Sequence, residues 1–233
     1  MVPPVFASFD RIRIVNLASR RDRRTEMEEQ LSRVELLGDP RVEFFEALSY
    51  PDPGPFRRTG SRGAFMSHLA LLREAAVAQQ SILILQDDCD FILPDIYTYE
   101  MTGAADIFYG GYDASDPDDL GSSDIIGAHF MGFSPRAAIA AADYLTYYLK
   151  PGFPPDELAA SQPGFDPAIR PPIDGAMVWF RRAHPELRTV FAMLGVQRSS
   201  RTDIGDQRWF DKVPGLRNVA ESARKFIRRR SQS

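Results

Sequence analysis

The chain has 233 residues, 44% apolar and 26% charged, enough to bury a sizeable core as one large or two small domains. Its 28 basic and 32 acidic side chains leave a net charge of −4, which disfavours nucleic acid as a general partner. The single cysteine, Cys89, excludes an internal disulfide and fits a reducing compartment. Met1-Val2-Pro3-Pro4 lacks a charged-then-apolar leader pattern, and no apolar run approaches the ~20 residues of a membrane span. The cytoplasm is the expected location.

Ile12, Ile14, Val15 and Leu17 predict a first strand that ends in Asn16-Leu17-Ala18-Ser19. From Arg20 to Val34, the apolar positions Met27, Leu31 and Val34 mark one face of an amphipathic helix. Residues 42–45 look like a second strand, and 49–60 form a loop by their Pro and Gly content. Ser61 can cap the next helix, with Phe65, Leu69, Leu72 and Ala76 down its buried side. The apolar run Ile82-Leu83-Ile84-Leu85 reads as a short strand buried on both faces, and Ile107-Phe108-Tyr109 as another. An acidic, turn-rich segment at 113–124 precedes a strand-like run from Ile125 to Phe133. Ser134-Pro135 then opens a helix through Leu149, with Ser134 as N-cap. Residues 151–172 are a proline-rich irregular insert, a length more often functional than decorative. Apolar character returns from Ile173 to Phe180. Strands alternating with helices over the first 110 residues indicate an α/β fold, its sheet mostly parallel and flanked by helices. Residues 217–230 carry six basic side chains against Glu221 and read as a basic amphipathic helix. Such a tail suits either an anionic membrane surface, as a peripheral contact on its inner face, or plain solvent.

The densest chemistry follows the strand at 82–85. Asp87, Asp88 and Asp90 crowd its C-terminal end, where open α/β sheets place their ligands. Carboxylates so close repel one another unless a cation intervenes, and Mg²⁺ or Mn²⁺ is the economical occupant, bridging to a phosphate. An acidic turn that coordinates nothing is the plain alternative. His68 lies close to the buried face of its helix, beside Ser67 and after Gly63, where a satisfied core histidine competes with a ligand. Arg57, Arg58 and Arg62 are either phosphate contacts or a solvated basic loop. Asp174, alone among Pro171, Pro172, Ile173 and Gly175, is a candidate general base or else an N-cap. Asp203 is a weaker candidate of the same kind, and Trp179 and Trp209 suit core packing better than sugar stacking. Cys89 has no activating neighbour in sequence and receives no nucleophilic role.

Taken in order, Ile14-Val15-Asn16-Leu17 with the Arg-Asp-Arg-Arg run at 21–24, then Gly63 to Leu71 with its Ser67-His68-Leu69, then Ile84-Leu85-Gln86-Asp87-Asp88, resemble glycosyltransferase family 25. That family includes lipooligosaccharide and collagen galactosyltransferases. The segments 106–110, around Asp174, and 197–204 are similar as well, so the match runs from about residue 11 to 205. The resemblance implies a single GT-A-like nucleotide-sugar-binding domain over 1–205, followed by a basic tail at 206–233. It implies inverting transfer of a hexose, galactose foremost, from a UDP-sugar to a glycan or lipid-linked saccharide, in lipopolysaccharide or surface-polysaccharide synthesis. Carried onto this chain, Asn16 and Leu17 line the nucleotide site and Ser67 and His68 support it. Asp87 and Asp88 are the metal and diphosphate acids, with Asp174 as base. Gln86 stands where the family has Glu, and Asp90 is the residue able to restore that charge. Two other readings stay open: a sugar-nucleotide binder without activity, favoured by Gln86, and a haloacid-dehalogenase-type phosphatase, suggested by Asp88-Cys89-Asp90.

Overall fold

The computed structural model describes residues 1–198. In chain order the elements are α1 (Pro4–Ala7), β1 (Arg11–Asn16), α2 (Arg21–Arg33), β2 (Val42–Glu46), α3 (Thr59–Ala78), β3 (Ile82–Gln86), β4 (Cys89–Phe91) and α4 (Leu93–Thr98). There follow β5 (Ile107–Tyr109), β6 (Asp113–Ala114), β7 (Ile125–Ile126), β8 (Phe130–Phe133), α5 (Pro135–Tyr148), α6 (Glu157–Ala160), α7 (Ile173–Ala183), β9 (Thr189–Phe191) and β10 (Gly195–Gln197).

The central sheet has the order β2-β1-β3-β8-β5-β9. β1 pairs parallel with both β2 and β3, and β5 pairs parallel with β9; only β8, inserted between β3 and β5, runs against the rest. This is a mixed α/β architecture with a mostly parallel sheet, as the alternation of elements predicts. β3 shows why a continuous apolar run is required. Ile82 and Ile84 face a core shared with α3, α5 and α7, whereas Leu83 and Leu85 face a second core with α1, α2 and α4. All four are fully buried, and each contributes about 1.5–3 kcal/mol by leaving water.

Element boundaries follow local chemistry. Ser134 caps α5, its Oγ accepting from Ala137 N at 3.2 Å, with Pro135 in the first turn. The run from Ile125 to Phe133 is two strands rather than one, because Gly127 (φ +156°) breaks it where a Cβ would meet the Gly111 carbonyl oxygen at 2.4 Å. α3 starts at Thr59, two residues before the expected cap Ser61, with Arg58 at the N-cap position and no side-chain cap. Leu17 lies past the end of β1 and is 42% exposed. The insert at 151–172 is irregular apart from the one-turn α6. Among the described residues no helix is long and apolar enough to cross a membrane. The basic tail, Asp203, Trp209 and the closing part of the 197–204 element lie outside the described residues.

Candidate functional site

Parallel pairing brings the ends of β1 and β3 side by side, with Val15 opposite Gln86. The next residues, Asn16 and Asp87, therefore meet. Asn16 Nδ2 donates to Asp87 Oδ2 at 2.6 Å and to the Arg20 carbonyl at 3.1 Å. The backbone locks the same junction: Asp87 N donates to Val15 O, and Ala47 N, just past β2, donates to Asn16 O. The first and third resemblance segments, 71 residues apart, thus share one buried contact. Leu17 stands at the rim of this edge, on the loop into α2.

Asp87 and Asp88 turn toward α2, where one atom receives both. Arg23 Nη1 donates to Asp87 Oδ1 and to Asp88 Oδ2, each at 3.2 Å, and all three side chains are largely buried. Gln197 Nε2 also donates to Asp88 Oδ2, at 3.3 Å. Asp90, on β4, joins a neighbouring group instead: Gln30 Nε2 donates to its Oδ1 at 3.1 Å, and the Arg198 guanidinium grips both of its oxygens while also pairing with Glu26. That contact raises the pKa of Arg198 further, chiefly through the hydrogen bond to Asp90. Arg23, Glu26 and Gln30 are spaced three and four residues apart along α2, so one side of the helix delivers all three. Arg20, at the start of the same helix, is tied to Asp22, which is held down to about 2 by that partner.

A divalent ion makes demands that this donor set does not meet. Mg²⁺ or Mn²⁺ needs oxygen ligands at about 2.0–2.2 Å with few competing cations. Here guanidinium and amide N–H groups engage oxygens of all three carboxylates. Among the described residues no group of three or more His, Cys, Asp or Glu side chains is placed to hold an ion. As the side chains stand, the residues expected to bind metal fit a guanidinium and not Mn²⁺ or Mg²⁺.

The remaining candidates reach the same edge from the other face. Ser67 Oγ accepts from Leu48 N at 2.9 Å and donates to Gly63 O at 2.8 Å, latching the loop after β2 onto α3. Gly63 is required there, since a Cβ would lie 2.5 Å from the Leu48 carbonyl oxygen. His68 is fully buried, with Nδ1 2.8 Å from Ala64 O and Nε2 3.2 Å from Ala128 O. Burial lowers its pKa below the ordinary histidine value, so the ring is neutral at pH 7. His129, also buried, is lowered for the same reason. Asp174 Oδ1 accepts from Gly127 N at 3.0 Å and Ala128 N at 2.8 Å. It sits in the first turn of α7, whose N-cap is Pro172, so Asp174 is not a cap for its own helix but a clamp on the 127–128 turn. Gln86 N donates to His129 O, joining that turn to the end of β3. Asn16, Ser67, His68, Asp87, Asp88 and Asp174 are therefore linked around one end of the sheet.

Other candidates fall elsewhere. Trp179 is buried against Tyr148 and Phe153 in the core. Arg62 pairs with Asp52 and lies over the Tyr50 ring. Cys89 is buried, its thiol pushed well up by burial, which leaves no reactive thiolate. A cavity of about 370 Å³ lined by Ser8, Phe9, Ser81, Asp106 and Ser134 lies at the opposite end of the sheet. Its one carboxylate, Asp106, is lowered by its bond to Arg136, so this hollow lacks the chemistry of the β1–β3 edge. Sequence reading gave no site role to Arg23, Gln30, Gln197 or Arg198, although Arg23 and Gln197 lie in the resemblance segments 21–24 and 197–204. The spacing of Arg23 and Gln30 beside the apolar stripe of α2 was the available signal for two of them.

No family model matches the chain, and no curated protein matches it. Among solved structures, it is similar to the crystal structure of a glycosyltransferase involved in the glycosylation of the major capsid of PBCV-1. The identity is 12% and the TM-score 0.45, over 83% of this chain and 96% of that chain.

Proposed function

We propose that the β1–β3 edge is the donor site of a glycosyltransferase with a GT-A-like fold, which moves a hexose from a UDP-sugar to a glycan hydroxyl with inversion. The observation that carries the reading is the Asn16–Asp87 contact, with Arg23 beside it. It joins two of the segments that resemble glycosyltransferase family 25 at the sheet edge where α/β folds bind phosphorylated ligands. The first turn of α2 opens on the same edge and favours negative charge. In the reaction the acceptor oxygen bonds to the anomeric carbon, the bond from that carbon to the diphosphate oxygen breaks, and Asp174 takes the hydroxyl proton. Asp174 Oδ1 is held by two amides, and among the described residues Oδ2 has no hydrogen-bond partner, which makes it the oxygen for that proton. Galactose as the sugar, and a lipid-linked or surface-polysaccharide acceptor reached from the cytoplasmic face of a membrane, complete the proposal. Calorimetry with UDP followed by a donor-turnover assay tests it. Asp88→Ala should lower turnover about tenfold or more, because it removes one of the two carboxylates that hold the Arg23 guanidinium, the positive charge placed to stabilise the leaving diphosphate. Full activity in that variant would defeat the assignment.

A second reading, a sugar-nucleotide binder without transfer, is favoured by the engagement of Asp174 and by Gln86 in place of an acid. Tight UDP binding with no turnover on any donor would select it.

A further inference from the structure

We infer that the Arg23 guanidinium takes the place of a divalent ion at the Asp87–Asp88 pair, so that the diphosphate of the ligand is met by arginine and without metal. The diphosphate part rests on the donor-site reading above; the exclusion of metal does not.

Three observations converge on it. Arg23 Nη1 bridges the two carboxylates at equal distances of 3.2 Å, the position a shared cation would occupy. The second oxygen of Asp87 is taken by Asn16, and Asp90, the acid able to enlarge an ion site, is held by Arg198 and Gln30. Gln86, where the resembling family carries an acid, removes one negative charge from the strand end and with it one oxygen anion for a metal. A divalent ion would have to displace both Arg23 and Asn16 to reach the two oxygens of Asp87, and Arg23 and Gln197 to reach Asp88 Oδ2. Geometry then gives the arginine a second task. Both of its contacts use Nη1, and among the described residues Nε and Nη2 have no hydrogen-bond partner. A guanidinium presents its donors in a planar fork suited to phosphate oxygens. Arg23 can therefore keep the carboxylates with one nitrogen and meet a diphosphate with the other edge. Asp87 and Asp88 become the residues that aim the arginine.

The experiment uses the full chain stripped of metal. Manganese uptake is read directly from the loss of the free Mn²⁺ paramagnetic resonance signal, for wild type, Arg23→Gln and Arg23→Lys, with circular dichroism confirming that each is folded. UDP binding is measured by calorimetry with EDTA and with Mn²⁺. The wild type should take up no Mn²⁺ at the carboxylates, and its UDP affinity should be the same in both conditions. Arg23→Gln should weaken UDP roughly ten- to a hundredfold, the worth of one charge-assisted contact, and should begin to take up Mn²⁺ through the released carboxylates. Arg23→Lys, which keeps charge but loses the fork, should exclude Mn²⁺ and bind UDP weakly. Stoichiometric Mn²⁺ in the wild type that disappears in Asp88→Asn overturns the inference, and so does UDP binding that requires Mn²⁺. Failure of Arg23→Gln to admit Mn²⁺ overturns it too. If UDP binds in no condition, the donor-site reading and the diphosphate role of Arg23 both fall. The manganese arms still decide the exclusion of metal.

Discussion

Replacing Asp174 separates a clamp from a base. Its Oδ1 accepts two backbone N–H groups, from Gly127 and Ala128, at 3.0 and 2.8 Å. Each is a hydrogen bond to a charged acceptor, which contributes about 1.5–3 kcal/mol. Asp174 is only half-buried, so the lower end of that range applies, and Asp174→Ala should cost about 3–4 kcal/mol. For a chain of this size about 2–4 °C is lost per kcal/mol, which gives a fall in Tm of about 6–16 °C. Asn at the same position keeps an oxygen acceptor but loses the charge, which roughly halves such a bond. Asp174→Asn should then cost about 1.5 kcal/mol and about 3–6 °C. Thermal unfolding followed by circular dichroism measures both, and amide exchange at Gly127 and Ala128 should accelerate more in the Ala variant. If Asp174→Ala unfolds within about 3 °C of wild type, the two amides do not depend on this carboxylate and the clamp is refuted. Transfer activity reads the other role: Asp174→Asn should retain UDP binding and lose transfer, whereas a pure clamp would leave transfer nearly intact.

Gly63→Ala should destabilise by about 1–3 kcal/mol, because its Cβ meets the Leu48 carbonyl at 2.5 Å and backbone cannot step aside. Gly60→Ala, with nothing within 4 Å, should change stability by less than about 1 kcal/mol in the same urea titration. Burial lowers the folded-state pKa of His68 and His129 below the ordinary value of about 6.5. Between the folded and unfolded pKa the unfolded chain binds more protons, so stability is complete above about pH 7.5 and falls on acidification through about 6.5. The slope arises from the proton that each unfolded ring takes up in this range and the buried ring does not. A stability profile flat between about pH 7.5 and 5.5 would contradict this, and His68→Gln should make it shallower.

Where the sequence succeeded, the physics was short-range. The four-residue apolar run of β3, the Ser134-Pro135 start of α5 and the acids at the end of β3 depend on neighbours within one or two turns. Such patterns identify a strand buried on both faces, a capped helix and a sheet edge dense in charge. The resemblance to glycosyltransferase family 25 added an order of segments, and the Asn16–Asp87 contact placed two of them together. Tertiary structure decided which charges meet. Arg23 reaches Asp88 across 65 positions, and Arg198 reaches Asp90 across 108, pairings that no local periodicity encodes. The antiparallel insertion of β8 between β3 and β5 is equally long-range, and it carries the 127–128 turn to Asp174. Composition determined that carboxylates would crowd the end of β3, since that follows from adjacent residues. Whether a metal or an arginine answers them depends on a helix packed alongside, because Coulomb attraction at about 3 Å acts on spatial neighbours and is indifferent to their distance along the chain.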